Sequence, residues 1–263
     1  MFNFCSLYSG SSGNSLFIQS ENTNILVDAG ESVRKIENAL SSINVDAKNL
    51  DAILVTHEHI DHVKSLGTLA KKYNIPVYAT KETWDAMPDQ AAKIDSSLKN
   101  TYIASEKFKI GNLTINPFSI SHDAANPCGF SISHKNKQMS IATDLGYVSK
   151  GVYEALEKSS FILLESNYDS EILKFSRYPY PLKKRISGEF GHLSNEDAAK
   201  LVVQLAKKNL NTVMLGHLSK ENNFPELAYK TVADELINAK LDSACINLSV
   251  ASRNMPSKII EIK

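Results

Sequence analysis

Short apolar runs separated by turn residues set the rhythm of the first third of the chain. Residues 3–7, 15–19 and 24–27 read as strands, divided by Gly, Ser and Asn, most densely at Ser9-Gly10-Ser11-Ser12-Gly13-Asn14. Residues 32–40 predict a short helix, with Val33, Ile36, Glu37 and Leu40 at helical spacing. The run 52–55 predicts a strand, 63–73 a helix with Leu66, Leu69 and Ala70 on one face, and 75–79 a strand with Pro76 at its edge or start. Residues 114–120 alternate as a strand, and 130–133 with 138–143 form a hairpin turning at Lys135-Asn136-Lys137. The runs 161–164 and 212–215 are of buried-strand type.

Two later helices are clear. Ser194 caps the first, with Asp197 three residues on as a variant capping box, and its inward stripe is Ala198, Leu201, Val202 and Leu205. The second starts at Pro225 and runs to about Ala239, with Leu227, Ala228, Val232 and Leu236 inward. Strands in bursts broken by single helices predict an α/β (α+β) chain of two mostly antiparallel or mixed sheets flanked by helices. With no repeat, low-complexity stretch or linker, one domain over 1–263 is expected.

Composition narrows the function little. The chain has 263 residues, 43% hydrophobic and 22% charged, enough to bury a core without covalent staples. Its 29 basic and 29 acidic residues cancel, so bulk charge does not point to nucleic acid, and any anionic substrate must be held locally. Cys5, Cys128 and Cys245 are few, odd in number and far apart, which excludes a disulfide framework and suits a reducing cytoplasm. All three read as small buried hydrophobes. No basic start precedes an apolar stretch and no run has the length of a membrane span, so a cytoplasmic protein with no membrane partner is expected.

The chemistry concentrates in Thr56-His57-Glu58-His59-Ile60-Asp61-His62, three imidazoles and a carboxylate just past the strand 52–55. A core does not need such a cluster, whereas a catalytic divalent metal does. His122 follows strand 114–120, Asp144 follows 138–143, and His217 follows 212–215 after one Gly. Four groups of donors thus sit past the ends of apolar strands, where loops carry function on a rigid frame. His57 and His59, two apart, chelate one ion and His122 completes that site. Asp61 and His62 reach a second ion with His217, and Asp144 bridges the two. Nitrogen and oxygen donors without thiolate suit Zn, Mn or Fe. A pair of such ions shares a hydroxide and stabilises both the attacking and the leaving oxygen of a phosphodiester displacement, with Asp61 also orienting the nucleophile.

The order of these residues resembles the metallo-β-lactamase superfamily, whose H-x-H-x-D-H motif is followed by His, Asp and His. Asp28 in Leu26-Val27-Asp28-Ala29-Gly30 matches that superfamily's early Asp, which orients the ligands from behind. The resemblance implies a four-layer αββα sandwich with the metals at one edge. A narrower likeness, to the YycJ/WalJ group, rests on Leu7-Tyr8-Ser9-Gly10-Ser11-Ser12-Gly13-Asn14, His122-Asp123-Ala124, Thr143-Asp144-Leu145-Gly146, Glu165-Ser166-Asn167, Tyr178-Pro179-Tyr180, 191–198 and 217–223. Two departures stand out: Tyr168 where the group commonly has His, and Asn126 where it commonly has an acid. This resemblance implies a 5′-to-3′ exonuclease on DNA, with RNA as a second polymer. The alternatives are a small cyclic phosphodiesterase, a glyoxalase-type hydrolase, or a metal-stabilised regulatory module without turnover.

Several residues carry two readings. His192, two before the Ser194 cap, is either a phosphate contact or proton donor, or a side chain packed on the cap. Ser194, Ser219, Asn222 and Asn223 offer donors for substrate, or a plain polar scaffold entering the next helix. Lys183-Lys184-Arg185 between Tyr178-Pro179-Tyr180 and His192 is either a solvated face or a strand-contacting patch. His134, in the hairpin turn, reads as solvated surface.

Overall fold

Side chains on the central strands alternate between two apolar environments. The computed structural model describes residues 1–208, 210–241 and 246–263; Cys245 lies outside the described residues. In chain order the strands are β1 (Phe2–Tyr8), β2 (Ser15–Ser20), β3 (Asn24–Val27), β4 (Ala52–Leu54), β5 (Val77–Ala79), β6 (Lys99–Thr101), β7 (Phe108–Ile110), β8 (Leu113–Ser119), β9 (Cys128–His134), β10 (Lys137–Ala142), β11 (Phe161–Glu165), β12 (Thr212–Gly216), β13 (Asn247–Val250) and β14 (Ile260–Glu261). The helices are α1 (Val33–Ser42), α2 (Ile60–Val63), α3 (Leu66–Tyr73), α4 (Lys81–Ala86), α5 (Pro88–Ala91), α6 (Lys150–Leu156), α7 (Ser170–Phe175), α8 (Tyr180–Ile186), α9 (Asn195–Ala206) and α10 (Pro225–Asn238).

Among the described residues two seven-stranded sheets result, ordered β14-β1-β2-β3-β4-β5-β6 and β13-β12-β11-β10-β9-β8-β7. Each is antiparallel in one half and parallel in the other, the parallel runs being β3 to β6 and β10 to β13. Period-two burial explains the layering. Ile25 and Val27 of β3, Leu54 of β4, Ile141 of β10 and Phe161 and Leu163 of β11 fill the space between the sheets. Their neighbours Leu26 and Ile53 face a core shared with Ile36 and Leu40 of α1 and Leu66 and Leu69 of α3. Ile162 and Leu164 face Val152 of α6, Val202 of α9 and Val232 of α10. Burying each such Leu, Ile or Phe contributes roughly 1.5–3 kcal/mol. The expected αββα sandwich of two mixed sheets flanked by helices is therefore present.

Three local differences from the sequence pattern have simple causes. The helix expected over 63–73 is two pieces, α2 and α3, because Ser65 N–H leaves the helical ladder for the Ala29 carbonyl. Strand β5 is interior, paired to β4 and β6, and Pro76 stands just before it. His134 is buried, not solvated: Nδ1 meets the Asn112 carbonyl and Nε2 lies 2.5 Å from the Glu21 carboxylate.

Candidate metal centre

Strand polarity brings the chemistry to one edge. Asp28 follows β3, the 56–62 loop follows β4, His122 follows β8, Asp144 follows β10 and His217 follows β12. The loop after β1 joins them, since Asn14 N–H donates to the Asp61 carbonyl at 2.8 Å. Ala29 N–H donates to the His62 carbonyl and Gly30 N–H to that of Asn14, clamping three loops together. A Cβ on Gly30 would overlap the Asp61 carbonyl oxygen, so only glycine permits this approach. Asp28, Asp144 and His217 have φ of 63°, 59° and 54°. Left-handed backbone costs a non-glycine residue roughly 1–2 kcal/mol, and here it turns each chain sharply so the side chain enters the edge.

The structure brings all seven expected ligands together. His59 Nδ1 lies 3.1 Å from His57 Nε2 and 3.3 Å from His122 Nε2. His62 Nε2 is 3.3 Å from Asp144 Oδ2 and 3.5 Å from Asp61 Oδ2, which is 3.6 Å from His217 Nε2. Asp144 Oδ1 lies 3.7 Å from His122 Nε2, so this carboxylate stands between the two groups. Tetrahedral donors at a zinc-like 2.0–2.1 Å from an ion are separated by about 3.4 Å, and the observed separations match. Asp144 Oδ2 and His217 Nε2 are buried with no hydrogen-bond partner among the described residues, a costly state that an ion would relieve. The donor set fits divalent metal.

Hydrogen bonds behind the donors fix which nitrogen enters the cage. His62 Nδ1 donates to Asp28 Oδ2 at 2.7 Å, and the Thr56 hydroxyl donates to the same oxygen at 2.8 Å. Thr56 in turn accepts from His57 Nδ1 at 3.0 Å, so the single carboxylate of Asp28 orients one imidazole of each group. His122 Nδ1 donates to the Gly191 carbonyl and His217 Nδ1 to Glu165 Oε1, at 3.1 and 2.7 Å. Asn167 Nδ2 donates to the His217 carbonyl at 2.7 Å, and Asn14 Nδ2 lies 3.3 Å from Asp61 Oδ2.

Glu165 joins the cage to His192. Its Oε1 accepts from both His217 and His192 Nδ1 (2.9 Å), and its Oε2 from the Leu145 and Leu193 amides. Burial pushes the Glu165 carboxyl up, but the two imidazoles more than reverse this and hold it down to about 2. Burial pulls the His217 imidazole down, while Asp144, Asp61 and Glu165 drive it up to about 10. Burial and the adjacent His62 keep His57 well below its ordinary value. Burial also lowers His192, and Glu165 and Asp144 outweigh it, for a net rise. The side chains of Asp61 and His192, 20% and 21% exposed, form the accessible mouth of the cluster together with the half-buried His59, and the other donors are buried.

Four residues expected at the substrate lie in the scaffold instead. Ser194 accepts from Asp197 N–H as the cap of α9, and Ser219 accepts from Asn222 N–H. Asn223 donates to the Ser166 and Asn167 carbonyls, and Asn222 is fully buried. Asn222 Nδ2 donates to the Ser219 hydroxyl at 3.4 Å, and its Oδ1 is buried without a hydrogen-bond partner among the described residues. Conversely Glu165, which sequence reasoning did not place at the site, ends β11 at the same edge. The strand-end rule that found His122, Asp144 and His217 applies to it equally.

Comparison with known proteins follows the geometry. A family model described as Beta-lactamase superfamily domain matches residues 23–217. The chain is 41% identical over 242 residues to the exodeoxyribonuclease WalJ of Streptococcus pneumoniae, covering 91% of this chain and 90% of that one. It is 37% identical over 233 residues to the exodeoxyribonuclease YycJ of Bacillus anthracis, covering 89% and 88%. Among solved structures, Zn(2+)-bound PqqB from Methylobacterium extorquens superposes with TM-score 0.70 at 15% identity, covering 97% of this chain and 99% of that one. The metallo-beta-lactamase fold protein YhfI from Bacillus subtilis gives 0.66 at 16% identity, with the same coverages.

Proposed function

We infer the function from one premise: the chain belongs to the metallo-β-lactamase superfamily and is a WalJ/YycJ-like member of it. It is a metal-dependent hydrolase, and its relatives favour a nuclease over small cyclic esters, thioesters or a regulatory module. We propose that it degrades DNA from the 5′ end, with RNA as a second polymer, using two divalent ions (Zn, Mn or Fe). The observation that carries this is the cage itself, with two donor groups meeting at Asp144. Charge supports the count: Asp28, Asp61, Asp144 and Glu165 supply four negative charges, which two divalent cations balance.

His57, His59 and His122 would hold one ion, Asp61, His62 and His217 the other, and Asp144 both. When bound, such ions make a nucleophile from water at neutral pH and stabilise charge on phosphoryl oxygens. Asp61, held by Asn14, orients the attacking water at the mouth of the cage. The Glu165 carboxylate, bonded to His192 Nδ1–H, favours the imidazolium with both nitrogens protonated, and its Nε2–H would give its proton to the leaving oxygen, leaving His192 neutral.

The whole span 1–263 is proposed to be one folding unit, because both sheets share the apolar layer between them. A cytoplasmic setting is proposed from the unpaired, buried Cys5 and Cys128. No helix among the described residues is long and apolar enough to cross a membrane. The test is elemental analysis of the purified protein with a cleavage ladder on 5′- and 3′-labelled DNA. Two ions per chain and shortening from the 5′ end are expected, both lost in Asp61→Ala and His62→Ala. Cleavage that survives those substitutions places the reaction elsewhere.

A further inference from the structure

The twenty residues 171–190 do not share the chain's neutrality. They hold Lys174, Arg177, Lys183, Lys184 and Arg185 against Glu171 and Glu189, five cations to two carboxylates, in a protein of net charge zero. Their helices are scarcely packed: α7 buries Leu173 and α8 buries no side chain. Large rings stand in solvent, with Tyr180 77%, Phe175 76% and Phe190 62% exposed. Between α7 and α8 lies a cavity of about 410 Å³ lined by Tyr168, Leu173, Lys174, Tyr180, Lys183 and Lys184.

This surface is tied to the cage at both ends. Tyr168 follows Asn167, which bonds the His217 carbonyl, and the Tyr168 carbonyl accepts from Asn195 N–H. At the other end His192 N–H donates to the Ile186 carbonyl at 2.8 Å, and Arg185 Nε meets Asp123 at 2.6 Å, next to His122. Two cations of the cluster are thus paired, Arg185 with Asp123 and Lys174 with Glu171 at 3.5 Å. Lys183 Nζ donates a hydrogen bond to the Lys174 carbonyl at 2.7 Å, and Lys184 makes no ion pair among the described residues.

A large ring, an apolar hollow and unneutralised lysines suit a polyanion whose flat apolar faces are exposed. A single nucleic-acid strand has that character, because paired bases hide their faces. We propose that the α7–α8 surface seats one unstacked base of the DNA strand being degraded against Tyr180, with Lys183 and Lys184 on the flanking phosphates. The proposal rests on the nuclease reading and adds to it the polymer end of the substrate. Short substrates that fill only the cage gain nothing from this surface.

The test uses the metal-loaded full chain, a single-stranded oligonucleotide titrated over a range of NaCl, and bis(4-nitrophenyl) phosphate as a substrate confined to the cage. Tyr180→Ala is expected to raise the oligonucleotide KM about tenfold or more, as loss of a base stack does. Lys184→Ala is expected to weaken binding and reduce the log–log salt slope by about 0.7. Hydrolysis of the small ester stays at the wild-type rate in both, and Tyr180→Phe restores the oligonucleotide KM. Unchanged KM and salt slope in these variants, with wild-type DNA cleavage intact, overturn the proposal and leave the nuclease reading standing. A wild-type protein that cleaves the small ester but neither binds nor cuts DNA overturns both.

Discussion

Replacing Glu165 by Gln tests whether a carboxylate outside the ligand set controls it. The side chain is wholly buried and receives four donors, two backbone amides on Oε2 and two imidazole Nδ1–H groups on Oε1. Gln has nearly the same shape but one acceptor oxygen. Turned toward the Leu145 and Leu193 amides, it points its NH₂ at His192 and His217, and each imidazole must shift its proton to Nε2 to accept. His217 Nε2 is the atom beside Asp61, and once protonated it no longer binds a metal. Loss of a bond of this kind typically weakens metal binding ten- to hundredfold, roughly 1.4–2.8 kcal/mol. The Asp61–His62–His217 group weakens, whereas His57–His59–His122, oriented through Thr56 and Gly191, does not. Titration of metal-stripped protein against a chromophoric chelator is expected to give two classes of site, one unchanged and one displaced. Two unchanged classes, or equal loss in both, would refute the reasoning.

Other perturbations probe the frame. Gly30→Ala drives a methyl into the Asp61 carbonyl and is expected to cost about 3 kcal/mol or more in urea unfolding, with metal content falling in parallel. Burial pushes the Cys128 thiol up to about 11 and raises that of Cys5. In a Cys245→Ser background at pH 8, iodoacetamide should therefore leave the native protein unlabelled by mass spectrometry and label it twice in urea.

The elements that periodicity revealed are those buried on one stripe or on both faces. β3, β11 and β12 were legible because continuous apolar runs fill two cores, and α9 because Ser194 caps a clean inward stripe. Helix α8 was not, since it buries nothing and so has no stripe to read. The outer strands β7 and β14 are three and two residues long, too short for any period. Sheet order was likewise hidden, because β1 pairs with β14 across almost the whole chain. At the site, residue type and strand ends picked out His57 to His62, His122, Asp144 and His217, which the fold brings to one edge. Restricting that rule to His and Asp passed over Glu165, while Ser219 accepts from the Asn222 backbone N–H and Asn223 donates to the Ser166 and Asn167 carbonyls, partners that residue type alone does not reveal. His134 was misread for the opposite reason, as a turn position covered by distant Glu21.

The donors come from both sheets: His57, His59, Asp61 and His62 hang from β4, His122, Asp144 and His217 from β8, β10 and β12. Cations held there, as proposed, would rivet the seam where the two halves of the sandwich meet. Filling the cage is then an act of assembly as well as of catalysis. A chain stripped of its ions loses the fastener that keeps its two leaves closed at the reactive rim.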